Sequence, residues 1–250
     1  MTLSQILKSV ALAALLCSPL PAPAVKALPE TGPTPYDPHH DDYSFTEIDR
    51  FVTRHLVLDL DVDFKRRVLQ GSATLHMRRV DPEARRVILD TRDITVTDAS
   101  VTLPGSSEKQ AAEFRFGDAH ELLGRALVVE LPAGFDPEAG FELQIHYRTS
   151  PQASALQWLP ASLTAGGEHP LMFSQSQAIH ARSWVPLQDT PALRITYEAT
   201  IRTPADMLAV MSADNDPETA RDGEYHFEMP QPIPSYLLAI AAGNLAFEDR

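Results

Sequence analysis

A strict alternation of apolar and other residues between positions 55 and 64 constrains the fold of this chain more than any other feature. Every second residue there is apolar: Leu56, Leu58, Leu60, Val62 and Phe64. The residues between them are polar or charged, except Val57. Because successive side chains of a β-strand point to opposite faces, this alternation predicts a strand with one buried face.

Short strand-like segments recur along the rest of the chain. They are separated by Pro, Gly and Asp turns and lie at 68–79, 85–91, 94–103, 113–116, 125–131, 141–149, 193–203, 207–212, 224–229 and 236–247. Only residues 44–53 and 118–127 show weak helical character. Many short strands at such spacing predict an all-β sheet architecture.

The first 27 residues have the three parts of a secretory signal peptide. Lys8 is the only charge before an apolar run at 10–17, and small residues and prolines follow. That run is about half of the ~20 apolar residues that a transmembrane helix needs. We therefore expect residues 1–27 to be a signal peptide, cleaved after Ala24 or Ala27. The mature protein is then expected to be periplasmic or secreted.

Composition after the signal peptide excludes several classes of partner. Residues 28–42 are Pro-rich and polar, which predicts an extended linker, so the folded domain is expected at 43–250. The whole chain has a net charge of −13, and the charged residues of the signal segment are lysines. Such an acidic protein lacks the basic surface that nucleic acids bind, and an anionic membrane surface would repel it. Cys17, the only cysteine, leaves with the signal peptide, so no thiol chemistry is expected.

Two segments match metal-binding motifs only in part. The run His120-Glu121-Leu122-Leu123-Gly124 has glycine where the helix of a zinc metalloprotease needs its second histidine. We expect a loop or turn there, before the strand at 125–131. Residues 38–42, Pro-His-His-Asp-Asp, lie in the predicted linker and are expected to be a solvated segment. The chain is therefore predicted to hold no metal and no catalytic residue of its own.

One polar segment, residues 172–191, fits neither a core strand nor a surface strand. On a strand, Gln175 and Gln177 would point the same way, with Ser176 on the opposite face. Two neighbouring primary amides offer four N–H donors and two carbonyl acceptors, a set that suits peptide amide groups or a terminal amine. A solvated face without a ligand would explain the same composition.

Ordered motifs around this segment resemble the zinc aminopeptidases of the leukotriene-A(4) hydrolase and aminopeptidase B group. That group shows a Leu-Gln-Trp-Leu stretch, a Gln-x-Gln-Ala-Ile run and an Arg-x-x-x-Pro-Cys-Gln-Asp-Thr-Pro turn. The corresponding residues here are 156–159, 175–179 and 182–191, with Leu187 in place of the cysteine. The similarity extends over about 42–250.

The resemblance implies a saddle-shaped all-β domain that precedes a thermolysin-like catalytic domain. It would be built of a large mixed or antiparallel sheet with a smaller sheet. In that group the glutamine pair holds the amino end and first carbonyl of a peptide in the active-site groove. By position, the substrate-binding residues here are Gln175, Ser176 and Gln177.

The remaining motif residues are expected to have structural roles. Trp158 and Trp184 should pack in the core or between domains. Arg182 and Asp189 should make internal polar contacts that fix the strand and its turn.

The resemblance also implies that zinc chemistry belongs to a second domain. In the group, that domain carries a Gly-x-Met-Glu-Asn loop and a His-Glu-x-x-His zinc helix, and neither motif occurs in this sequence. One hypothesis is the substrate-groove domain of an exported zinc aminopeptidase, with a peptide amino end and a catalytic metallopeptidase domain as partners. The other is a stand-alone, non-enzymatic periplasmic module that binds peptides or a protein.

Overall fold

The structure is a computed structural model that describes residues 40–103, 105–136 and 140–247. The predicted signal peptide at 1–27 and residues 28–39 of the predicted linker lie outside these described residues. None of the helices in the described ranges has the length and hydrophobicity of a membrane span.

The described residues form strands and very little helix, as the sequence predicts. The strands are β1 (Phe51–Asp63), β2 (Val68–Arg79), β3 (Arg86–Thr91), β4 (Thr95–Thr102), β5 (Gln110–Ala111), β6 (Phe114–Phe116), β7 (Arg125–Glu130), β8 (Phe141–Arg148), β9 (Leu156–Leu159), β10 (Leu171–Ser174), β11 (Ile195–Arg202), β12 (Leu208–Met211), β13 (Glu224–Ile233) and β14 (Ile240–Gly243). Three 3-10 helices, each of a single turn, are Ala161–Leu163, Ala181–Ser183 and Ser235–Leu237. The all-β prediction is confirmed.

The largest sheet is mixed and has seven strands in the order β13-β11-β1-β2-β8-β4-β5. Its only parallel pair joins β1 to β11, and the other neighbours are antiparallel. Leu56, Leu58 and Leu60 of β1 are fully buried, as the alternation predicts. The intervening Asp59 and Asp61 are exposed on the other face. One face of this sheet therefore covers the core and the other faces solvent.

Two smaller antiparallel sheets complete the domain, whereas the family resemblance implied one smaller sheet. The four-stranded sheet has the order β12-β14-β10-β9, and the three-stranded sheet has the order β3-β7-β6. Strand β10 ends directly before the polar segment that contains Gln175. Asp90, near the end of β3, is buried and accepts a hydrogen bond from the Asp189 N–H at the end of the same segment. The ends of β10 and β3 thus place elements of the candidate site.

The two segments with weak helical character are not helices. Residues 44–53 form a turn and then enter β1, because Phe51 and the residues after it have partners in β2. Within 118–127, the backbones of His120 and Gly124 hydrogen-bond each other at 2.8 and 2.9 Å, which closes a turn. At Gly124, φ is +82° and an added Cβ would lie 2.2 Å from the Thr91 carbonyl oxygen. The predicted turn before β7 is therefore confirmed, and glycine is required there.

Candidate functional site

The two glutamines follow the end of a strand, whereas the sequence predicted them within one. Strand β10 stops at Ser174, and residues 177–180 form a turn. Side-chain hydroxyls take over the backbone partners at this point. Ser174 Oγ accepts from the Ile240 N–H at 2.9 Å, and Ser176 Oγ donates to the Leu238 carbonyl at 2.7 Å. These contacts replace the strand ladder and free the chain to turn.

Gln175 and Gln177 nevertheless both have exposed side chains, and Ser176 between them is buried. The backbone of Gln175 is fixed because its N–H donates to the Ala155 carbonyl at 2.8 Å. The Gln177 N–H donates to Gln175 Oε1 at 3.1 Å. The peptide bond between Gln177 and Ala178 is cis. Two primary amides therefore stand at the surface on a backbone that is held from below.

The hydroxyl of Ser176 supports the turn from inside the protein. Ser176 is 2% exposed and accepts a hydrogen bond from Trp184 Nε1 at 3.1 Å in addition to its bond with Leu238. Trp184 is fully buried, as expected for a packing residue. The side chain of Ser176 is therefore committed to internal contacts.

An open groove of about 590 Å³ lies beside Gln177. We call it the Gln177 groove; Gln177, Ile179, Tyr43, Leu122, Pro191 and Tyr236 are among the residues that line it. Its lining is mostly apolar, and Tyr43 and Leu122 are 57% and 49% exposed. Asp41, from the end of the predicted linker, also lines it. The amide of Gln177 is thus a polar group at the edge of an apolar surface.

A buried ionic cluster lies beneath the groove. Arg182 is fully buried, and its Nε donates to Asp189 Oδ2 at 2.9 Å. Its Nη1 lies 3.6 Å from Asp90 Oδ1. Asp90 accepts hydrogen bonds from Ser44 Oγ and from the backbone of Phe45 and Asp189. The internal role predicted for Arg182 and Asp189 is confirmed.

Burial changes the acid–base behaviour of this region. It raises the pKa of Asp90, and the Arg182 guanidinium and the donated hydrogen bonds offset part of that rise. Burial also lowers the pKa of His180, and Arg92 adds to this effect through its positive charge. The Nδ1 of His180 lies 2.7 Å from Ser154 Oγ. A lowered pKa favours the neutral imidazole at neutral pH.

His40 and His120, one from each of the two partial metal motifs, make local contacts. His120 Nδ1 accepts from the N–H groups of Leu122 and Leu123, which caps the turn. His40 Nε2 lies 3.0 Å from Asp42 Oδ1, an exposed contact between two residues of the same segment. Within the described ranges, no three His, Cys, Asp or Glu residues are grouped so that they could hold a metal ion.

Several contributors to this region carry no signal in the sequence motifs. Tyr43 belongs to no motif, and Leu122 lies in the partial zinc motif at 120–124, which did not point to a groove; the structure alone brings both residues to Gln177. Asp90 was detectable in part, because it is a lone carboxylate directly after the apolar run Val87-Ile88-Leu89. A buried acid in that place requires a partner. The sequence could not show that the partner is Arg182.

Known proteins share this fold and these motifs. The family model for the peptidase M1 N-terminal domain matches residues 37–237. A leukotriene A-4 hydrolase from Xenopus laevis is 37% identical over 210 residues, which cover 82% of this chain and 34% of that protein. A leucine aminopeptidase 2 from Phaeosphaeria nodorum is 35% identical over 221 residues, covering 85% of this chain and 34% of that protein.

Solved structures agree with these matches. The yeast LTA4 hydrolase in complex with bestatin superposes with a TM-score of 0.75 at 32% identity, covering 86% of this chain and 32% of that one. An M1 zinc metallopeptidase from Deinococcus radiodurans, at 22% identity and a TM-score of 0.60, shares the fold. The chain thus spans about a third of the length of its curated relatives. It belongs to the peptidase M1 N-terminal domain family.

Proposed function

We propose that this chain is the substrate-groove domain of an exported zinc aminopeptidase, in which Gln175 and Gln177 hold the amino end of a peptide. The observation that carries the proposal is the pair of exposed primary amides, two residues apart, at the edge of an apolar groove. The Gln175 backbone is anchored to Ala155, and the Ser176 between the two glutamines is anchored to Trp184 and Leu238. The pair is therefore pre-organised for a ligand.

The chemistry of the two amides suits a peptide terminus. A side-chain carbonyl accepts hydrogen bonds from an ammonium group, and a side-chain NH₂ donates to the first peptide carbonyl. Gln175 Oε1 already accepts from the Gln177 backbone, which leaves its NH₂ group for a ligand. Gln177 carries no charge, so its hold on an ammonium group depends on dipole and geometry. The apolar groove beside it strengthens such hydrogen bonds by lowering the local polarity.

Catalysis is assigned to a partner domain outside these residues. The relatives are about three times as long as the matched region, and one structural neighbour is named an M1 zinc metallopeptidase. No set of residues in the described ranges fits a zinc ion, and zinc-dependent hydrolysis is therefore assigned to the partner domain. Its role is to bind and orient the peptide for that partner. The predicted signal peptide at 1–27 supports export to the periplasm or beyond.

The test uses this chain joined to the remaining, catalytic part of the Xenopus leukotriene A-4 hydrolase, here termed the joined enzyme. Gln177→Ala should lower kcat/KM for aminoacyl substrates by roughly 10- to 100-fold, because a hydrogen bond to a charged group is worth ~1.5–3 kcal/mol. The matched control is Gln152→Ala. Gln152 is an exposed glutamine with local bonds to Ser150 and is not among the residues that line the groove.

Two results would contradict the proposal. The first is a joined enzyme that turns over normally with Gln177→Ala. The second is a stable joined protein without turnover, together with peptide binding by the present chain alone, which would favour the stand-alone binding module. Loss of kcat/KM with an unchanged melting temperature supports the groove assignment.

A further inference from the structure

The walls of the Gln177 groove come from five segments that are distant in sequence. Tyr43, Leu122, Gln177 and Pro191 lie in turns, and Tyr236 lies in the 3-10 helix Ser235–Leu237. Loops of this kind move independently unless something fixes them. Because a groove binds tightly only when its walls keep their spacing, the contacts that join these segments decide how well it is pre-organised.

Arg182 contacts the segments that carry two of these walls directly. Its Nη2 donates to the Tyr43 carbonyl at 2.8 Å and to the Asp189 carbonyl at 3.0 Å. Its Nη1 donates to the Leu123 carbonyl at 3.2 Å, next to Leu122. Arg182 itself lies three residues after Ile179 of the groove. One fully buried guanidinium therefore holds the Tyr43, Leu122 and Gln177 segments together.

Asp189 and Asp90 extend the same cluster to the remaining walls. Asp189 Oδ1 accepts from Ser235 Oγ at 2.6 Å, and Ser235 directly precedes Tyr236. Asp189 also lies two residues before Pro191. Asp90 accepts from Ser44 Oγ at 2.6 Å and from the Phe45 N–H at 2.7 Å, which ties down the chain just after Tyr43.

We propose that Arg182, with Asp189, is the positioning residue of the Gln177 groove and sets the distance of the other four walls from the Gln177 amide. This inference rests on the proposed function, since it concerns how the groove holds a peptide. The cluster involves β3, the 3-10 helices Ala181–Ser183 and Ser235–Leu237, and loops, and the hydrogen-bond partners named above lie outside the seven-stranded sheet that carries most of the core. Its partners are the segments of the groove.

Variants at the rim of the cluster test this without removing the buried charge. Removing one partner of a buried ion pair is strongly destabilising, so Arg182 substitutions risk unfolding. Ser235→Ala and Ser44→Ala each remove one donor to a buried carboxylate. Ser44→Thr retains the hydroxyl and serves as the conservative rescue. Thr149→Val is the control, because Thr149 Oγ1 accepts from the N–H of Leu69 in β2 at 2.9 Å and Thr149 is buried like Ser235.

Two measurements are made on each variant. In the chain alone, hydrogen exchange of the backbone amides at 43–46 and 177–180 should accelerate by about tenfold or more in Ser235→Ala and Ser44→Ala. It should stay at the wild-type rate in Ser44→Thr and Thr149→Val. In the joined enzyme, KM should rise on the order of threefold or more with kcat nearly unchanged for the two alanine variants only.

The outcomes separate this inference from the proposed function. Faster exchange at both wall segments supports the positioning role, even if Gln177→Ala proves kinetically silent and the function assignment fails. Exchange that is unaltered at 177–180 in Ser235→Ala overturns the positioning role, whatever Gln177→Ala does. The same holds if Thr149→Val raises KM as much as Ser235→Ala, because the cluster would then act only through global stability.

Discussion

Around the Gln177 groove, serine hydroxyls and glutamine amides have different hydrogen-bond partners, and these partners decide which groups are available to a ligand. Ser174, Ser176 and Ser183 bond to backbone or to buried side chains. Gln175 and Gln177 keep amide groups at the surface. The spacing of the two glutamines was readable in the sequence, but their place after the strand was not. That placement depends on hydroxyl contacts to Leu238 and Ile240, more than 60 residues away in sequence.

The lowered pKa of His180 predicts a pH dependence of stability. Burial is the larger cause, and the positive charge of Arg92 lowers the pKa of His180 further. The unfolded chain then binds more protons than the folded chain below about pH 6.5, the usual pKa of histidine, so acid favours unfolding. The contribution of His180 to stability should therefore be complete above about pH 6.5 and should fall as the pH decreases below it.

The variant His180→Asn tests this effect. Asparagine can still hydrogen-bond Ser154 but cannot titrate. The melting temperature of His180→Asn should depend less on pH between 7 and 5 than that of the wild type. Some dependence should remain, because burial lowers the pKa of His55 as well. Equal slopes for variant and wild type would exclude His180 as a contributor.

Among the elements, β1 and β2 were the most predictable because one face is buried along their whole length. When apolar and polar residues alternate over many positions, the strand register is fixed, because a shift by one residue would turn the apolar face to solvent. The weak helical pattern of residues 44–53 and 118–127 was misleading because it combines apolar residues at short spacing with a turn. The strand partners that decide the conformation of these segments lie elsewhere in the chain. Their backbone is fixed by β2 and by the His120–Gly124 turn.

Gly71 in β2 gives a prediction for the central strand pair. Its φ is +147°, and an added Cβ would lie 2.0 Å from the Asp59 carbonyl oxygen. Gly71→Ala should therefore destabilise the fold by clearly more than about 1 kcal/mol, lowering the denaturant midpoint. Gly134→Ala is the control, since Gly134 also has positive φ but open space around it. Equal effects of the two substitutions on the denaturant midpoint would show that β1 and β2 accommodate the added methyl group without an extra loss of stability.

At the scale of the whole molecule, the exposed apolar residues near the groove fit a domain that works beside a partner. Tyr43, Leu122 and Leu237 are large, apolar and about half exposed. Apolar surface of this kind often marks an interface. The family and its fold could be inferred from ordered motifs in the sequence. The groove itself could not, because its walls come from turns and loops that lie far apart in the sequence.

The central claim is that Gln177 holds the amino end of a peptide, and a double-mutant cycle tests it most directly. Inhibition constants of the joined enzyme are measured for an uncleaved peptide analogue and for its des-amino form, each with wild type and with Gln177→Ala. The account predicts a coupling of ~1.5–3 kcal/mol between the Gln177 amide and the ligand amine. Gln177→Ala should weaken the amino ligand strongly and the des-amino ligand hardly at all. Equal weakening of both ligands, or of neither, would contradict the account.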